Sequence, residues 1–288
     1  MTTTTSTYLA ISQNLARYQS MVADQPAVKT ASEYYAANIG KVTSIQDFVS
    51  NYRLLSYALD AYGLGDQVNS TALVKQVLEG GVSNPKSLAN TLSNPNWAKF
   101  AAAFNFAADG APSISTASAI KTTTSAYVEQ QLETDEGEQD PGVQLALYFQ
   151  RVAPTESSGI QIMGDENLLD VVQTIFGLPP ETTGTNIDDE AAEISRLAPA
   201  SQLQNSKDLQ QLTERFTAMY DLDYGAGGVD ASTPLTVDSD GVSSKPADAS
   251  STILGNVISG NASFSGDSTA SYFSSTLLAS VQNLPFGG

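Results

Sequence analysis

The sequence predicts an all-α protein: a duplicated multi-helix unit with an N-terminal amphipathic helix and a flexible, low-complexity C-terminal tail. Three observations carry this reading. Apolar residues recur at helical steps of three and four through most of the first 222 residues. Asn-Pro and Asp-Pro pairs stand where helices would start. Two stretches about 114 residues apart repeat the same order of signals.

Taken in order, Tyr8, Ile11, Leu15, Tyr18 and Val22 follow steps of three, four, three and four, an a/d stripe on one helix. A second helix is expected from about Ala27 to Val42, with Tyr34, Tyr35 and Ile39 on its apolar side. Ser44 precedes an apolar run and has Asp47 three residues on, which suits a helix cap. Asn84-Pro85 and Asn94-Pro95 each place Asn at an N-cap and Pro at the first helical position, where its missing N–H costs nothing. Asp140-Pro141 repeats the signal before the apolar run 143–149, and Ala153-Pro154 ends it. Gly63 and Gly177 follow apolar runs where a left-handed residue is expected. After Leu222 the chain turns rich in Gly, Ser, Asp, Thr and Pro as far as Ser251, the composition of a linker. Helical potential returns at Ile253–Ile258 and over 268–284, where Phe273, Leu277, Val281 and Leu284 recur at steps of four, four and three.

A shift of 114 overlays Leu54, Leu55, Ala58, Tyr62, Gly63 and Leu64 on Leu168, Leu169, Val172, Phe176, Gly177 and Leu178. A shift of 116 overlays residues 99–106 on 215–222. The expected division is N-terminal helices over 1–43, a first repeat over 44–106, connecting helices over 107–157, a second repeat over 158–222, and a linker with a short helix over 223–288. The terminal stripes form the expected partner-binding set. Ile11, Leu15, Tyr18 and Val22 would pack against Phe273, Leu277, Val281 and Leu284, within one chain or between chains.

Composition mainly excludes. At roughly 150 residues per domain, 288 residues suggest about two domains. Thirty-one Asp+Glu against 13 Lys+Arg give a net charge of −18, which argues against a phosphate-backbone partner. With no Cys and no His there is no disulfide, no Cys- or His-ligated zinc, no thiol nucleophile and no His-based triad. Charged residues make up 15% of the chain, below the roughly 25% of an average soluble domain, a bias shared with extracellular appendage proteins. No apolar run approaches the roughly 20 residues of a membrane span. Met1–Thr5 has neither the basic region nor the apolar core of a cleavable signal.

The densest carboxylate cluster is Glu129, Glu133, Asp135, Glu136, Glu138 and Asp140. Paired carboxylates can hydrolyse glycosides when one is buried and one stays ionised, but a cluster straddling Gly137 reads as a solvated turn with Asp140 as a cap. Asp188, Asp189 and Glu190 follow Asn186 and suit the first turn of a helix. Asp238-Ser239-Asp240-Gly241 imitates part of a calcium loop, but Thr236 and Ala247 stand where ligands are needed. Gly225-Ala226-Gly227-Gly228 lacks the strand, helix and Lys of a phosphate cradle. Trp97, Phe100, Phe104, Phe106, Tyr148 and Phe149 are expected in the core. No catalytic, cofactor-binding or metal-ligating residue is assigned.

Four strings carry a resemblance: residues 77–82, 85–106, 136–149 and 215–221. Together they resemble an alphaproteobacterial family of unknown function, commonly encoded among flagellar genes and sometimes labelled flagellar basal-body rod protein. The likeness spans about residues 8–222. The family has no established active site, so the resemblance implies no catalytic residue. It points to a non-enzymatic, flagellum-associated structural or assembly protein, located in the flagellum or outside the cell, whose partners are other flagellar proteins or its own terminal helices. The competing expectations are a cytosolic acidic scaffold or export chaperone that binds partner helices and, more remotely, a carboxylate-dependent hydrolase.

Overall fold

A computed structural model of the chain describes residues 3–179 and 186–225. Every regular element among them is helical. The α-helices are α1 (Thr4–Gln13), α2 (Leu15–Ala23), α3 (Pro26–Asn38), α4 (Ile45–Ser50), α5 (Tyr52–Ala61), α6 (Thr71–Gly80), α7 (Leu88–Thr91) and α8 (Asn96–Ala103). They continue as α9 (Phe106–Asp109), α10 (Ala117–Gly137), α11 (Pro141–Val152), α12 (Gly159–Met163), α13 (Glu166–Phe176), α14 (Ile187–Leu197), α15 (Ala200–Leu203) and α16 (Ser206–Tyr224). Short 3-10 turns occupy Ile39–Lys41, Gly65–Asn69, Ala111–Ser115 and Ala153–Thr155. No helix of the described residues is long and apolar enough to cross a membrane.

Several boundaries follow from single residues. Pro26 opens α3 and Pro141 opens α11, each at a position where no N–H is needed. The Ser44 hydroxyl caps α4 by accepting from the Asp47 N–H at 3.0 Å. Gly63 and Gly177 take φ of 68° and 63°, the left-handed conformation that favours glycine. α11 stops at Val152, ahead of Ala153-Pro154.

Several sequence expectations change: the helix expected over 27–42 ends at Asn38 and gives way to a 3-10 turn, and α8 begins at Asn96 with Pro95, not Asn94, at its N-cap. The helix expected over 8–22 is two helices broken at Asn14, whose φ and ψ are −132° and 30°. Its side-chain amide turns back to the Ala10 carbonyl at 3.1 Å, the local competition with the helix ladder that short polar side chains offer. Asn84-Pro85 starts no helix. The Asn84 Oδ1 accepts from the Lys86 N–H in a local turn, and α7 begins only at Leu88.

Two apolar cores result. The first gathers Tyr35, Phe48, Leu54, Leu59, Phe100 and Phe104, and the second gathers Tyr8, Ile11, Phe149, Leu168, Ile175 and Phe216. Each fully buried side chain of this size contributes on the order of 1.5–3 kcal/mol. The N-terminal helix α1 belongs to the second core, packed on α11 and α16 at the far end of the described chain. The long helix α10 packs on α3 and α5 as well as on α11, and its Tyr127 touches both cores.

From α3 to α8 and from α11 to α16 the α-helices run in the same order: a helix opened by Pro and followed by a 3-10 turn, a short helix, two longer helices, a one-turn helix, and a helix bearing aromatic residues; the first stretch also has the 3-10 turn Gly65–Asn69 between its two longer helices. At an offset of 114, Tyr34, Tyr35, Ser44, Asn51 and Gly63 stand against Tyr148, Phe149, Ser158, Asp165 and Gly177. α4 packs on α5 and α6, as α12 packs on α13 and α14. Phe100 and Phe104 meet at 5.0 Å between ring centroids, and Phe216 and Tyr220, 116 residues on, at 5.5 Å. This shared order includes α3 and α11, which precede residues 44 and 158.

Candidate functional site

A cleft of about 870 Å³ opens beside α10 and α11. Its floor is Tyr127 and Gln130 from α10 with Gln144 and Tyr148 from α11. One wall comes from the end of α5 and the turn beyond it, with Asp60, Gly63, Gly65 and Asp66, and from Asn94 and Asn96 ahead of α8. The start of α13 supplies Asp165 and Glu166 to the other. Six carboxylates line the cleft, from Asp60, Asp66, Glu133, Glu138, Asp165 and Glu166, with no Lys or Arg among the lining residues.

The best-buried of these carboxylates are committed to the fold. Glu133 takes a two-pronged ion pair from Arg151, at 2.6 Å to Nε and 2.8 Å to Nη2, joining α10 to α11. Burial opposes the charge on Arg151, but Glu133 outweighs it and keeps the guanidinium firmly protonated. Asp165 caps α13 by accepting the Leu168 N–H at 3.0 Å on one oxygen and the Tyr148 hydroxyl at 2.5 Å on the other. Burial, followed by the Asp165 charge, raises the Tyr148 pKa and keeps its phenol protonated. Asp60 is half-buried beside Asp66. Burial pushes its carboxyl up, the Ser56 hydroxyl at 3.2 Å offsets part of this, and the charge of Asp66 adds to the rise. Among the described residues no group of three or more acidic side chains is placed to hold a metal ion.

The carboxylate cluster differs from the solvated turn the sequence suggests. Glu138 is exposed, but Asp140 is only 6% exposed and Glu133 only 3%. Glu129 and Asp135 accept side-chain amides from Gln19 and Gln25 at 3.2 and 2.7 Å, which ties α10 to the start of the chain. Glu129, Glu133, Asp135 and Glu136 lie on α10, which packs on α2, α3, α5 and α11, while Glu138 and Asp140 lie beyond its end. Asp188 and Asp189 lie exposed in the first turn of α14, where Asn186 is the cap.

Of the terminal stripe, Ile11 and Val22 are buried in the second core, Tyr18 packs against it in part, and Leu15 is 37% exposed. The kink at Asn14 turns Leu15 out of the stripe's line. α16 runs on to Tyr224, past the expected start of the linker after Leu222; the linker beyond Gly225, the calcium-like loop, and Phe273, Leu277, Val281 and Leu284 lie outside the described residues. Sequence reasoning missed Arg151, Asp165, Thr4 and Asp221 as holders of buried polar contacts. For Asp165 a signal existed: the same 114-residue shift that pairs Gly63 with Gly177 also pairs the Asn51 and Asp165 caps and the Tyr34 and Tyr148 that meet them.

Residues 61–209 match the family model described as "Protein of unknown function (DUF1217)". No curated protein matches the chain. A crystal structure of a protein from Agrobacterium tumefaciens is similar at 37% identity and a TM-score of 0.70, over 75% of this chain and 92% of that one. With the family model spanning more than half of its length, and a solved relative of the same helical architecture, the chain belongs to the DUF1217 family of unknown function.

Proposed function

We propose that the chain is a non-enzymatic structural or assembly protein of the bacterial flagellum, its two helical halves arising by internal duplication. One observation carries the structural reading: the buried carboxylates join helix to helix. Glu133 binds Arg151 between α10 and α11, and Asp165 joins α11 to α13. Glu156, 2% exposed, meets Lys99 of α8 at 3.1 Å and links the two cores. Glu133 and Asp165 line the cleft, but their oxygens are taken up by Arg151 and by the Tyr148 hydroxyl and Leu168 N–H, which leaves them to hold helices together. The flagellar part of the reading draws on the resemblance of the four strings and on the low-charge composition.

A second reading, a cytosolic acidic scaffold or export chaperone, draws on the cleft, whose six carboxylates and absence of lining cations suit a basic segment of a partner. An in-frame deletion tests the first. The expected outcome is impaired swimming at an unchanged growth rate, restored by the intact gene. Full motility in the deletion strain would contradict it.

A further inference from the structure

The start of α1 is held by groups that its own helix does not provide. Its first two N–H groups, from Thr4 and Thr5, both donate to the Asp221 carboxylate, at 2.8 and 3.1 Å, and the Thr5 hydroxyl joins them at 2.8 Å. The third N–H, from Ser6, goes to the Thr3 side chain at 3.1 Å. The Thr4 hydroxyl, fully buried, donates to Asp140 at 2.8 Å, while the other oxygen of Asp140 accepts the Gly142 N–H at 2.9 Å at the head of α11. Gly142 has no room for a side chain, because a Cβ there would run into Tyr220 and the Thr4 methyl.

Asp221 sits in the last turn of α16, where a negative charge faces the negative end of that helix's own dipole. The position is unfavourable for α16 alone. It is favourable only for α1, whose positive end it meets. The arm also has a place to part from the rest, since the helix breaks at Asn14 immediately after α1.

We propose that α1 is a latched arm: Asp221 and Asp140 close it around Thr4 and Thr5, and loss of the Asp221 charge raises the share of molecules in which α1 parts from α11 and α16, exposing Tyr8 and Ile11, while the rest of both cores stays folded. The charged and titratable groups around the latch are Asp140 at the head of α11, Glu136 on α10, Asp170 on α13, and Tyr220 and Tyr224 on α16. Burial works against the Asp221 charge, but the hydrogen bonds from Thr5 and Thr4 outweigh it and hold its pKa below the ordinary aspartate value. Its contribution is therefore present above the aspartate value of the unfolded chain and is lost as pH falls through the lowered folded value. Asp140 has the opposite sign. Burial raises its pKa, the Thr4 and Gly142 hydrogen bonds offset only part of this, and the charge of Asp221 adds to it. On acidification Asp140, with its raised pKa, takes its proton before Asp221, whose protonation at lower pH weakens the bonds to Thr4 and Thr5 and opens the arm.

Hydrogen exchange read by mass spectrometry on the full chain tests this through protection factors, which correct for the intrinsic effect of pH. Asp221→Ala is expected to lower protection over residues 6–13 by about tenfold to a hundredfold, the range for lost hydrogen bonds to a charged group. Protection over residues 54–59 of the first core and 168–175 of the second should stay unchanged. Thr5→Val, which removes only the hydroxyl, should act in the same place with a smaller effect. In the unaltered chain, protection of α1 should fall at low pH, as Asp221 titrates, while residues 54–59 and 168–175 remain protected. Protection of α1 that is unchanged in both variants, or that always falls together with protection of the cores, would overturn the proposal.

Discussion

The corresponding tyrosine contacts of the two halves differ in polarity. In the first half, the amide of Asn51 donates to the Tyr34 hydroxyl at 3.3 Å while its oxygen caps α5 by accepting the Leu54 N–H at 3.2 Å. In the second, the Tyr148 hydroxyl donates to the carboxylate of Asp165 at 2.5 Å while the other oxygen caps α13. The geometry is shared: a tyrosine from the Pro-opened helix reaches the cap of the helix that follows the short one. The charge is not. The first half uses a neutral, partly exposed contact, and the second a buried, charge-assisted one beside the Arg151–Glu133 pair. One helical plan can thus be kept while its polar ties are strengthened on one side, and the stronger ties lie where α11 meets α10 and α13.

The largest effect should come from the cores. Phe100→Ala and Phe216→Ala remove corresponding, fully buried rings, one from each half, and each should cost about 3–5 kcal/mol. Because α10 packs on both halves and Lys99 pairs with Glu156 between them, both substitutions should lower one common unfolding transition in calorimetry. Two separate transitions, each moved by only one substitution, would break the comparison by making the halves independent.

A smaller effect sharpens it. Tyr148→Phe removes a buried donor from a carboxylate and should cost about 1.5–3 kcal/mol, whereas Tyr34→Phe should cost about 0.5–1.5 kcal/mol. Urea denaturation of the two variants side by side measures the difference. Equal losses would show that the charge on Asp165 adds nothing to the tie.

How much of this is legible in the sequence depends on the range of the interaction. Gly63 and Gly177 can be read because a left-handed turn demands glycine locally, and Asp140-Pro141 because cap and first residue are adjacent. The break at Asn14 is hidden, since the apolar stripe runs straight across it and only the side chain's turn back to Ala10 reveals it. Asn84-Pro85 satisfies two local rules at once, helix cap and turn, and the turn wins. The burial of Glu133 and Asp140 cannot be read from a charge run. Their partners, Arg151 and Thr4, lie 18 and 136 residues away, and only packing brings them together.

The central claim, a structural protein of the flagellum, is tested most directly by locating the chain. Quantitative immunoblotting of purified filament and basal-body fractions against cytoplasm and culture medium should find it enriched with the flagellar structures. A chain confined to the cytoplasm, with none in any flagellar fraction, would contradict the claim and favour the chaperone reading.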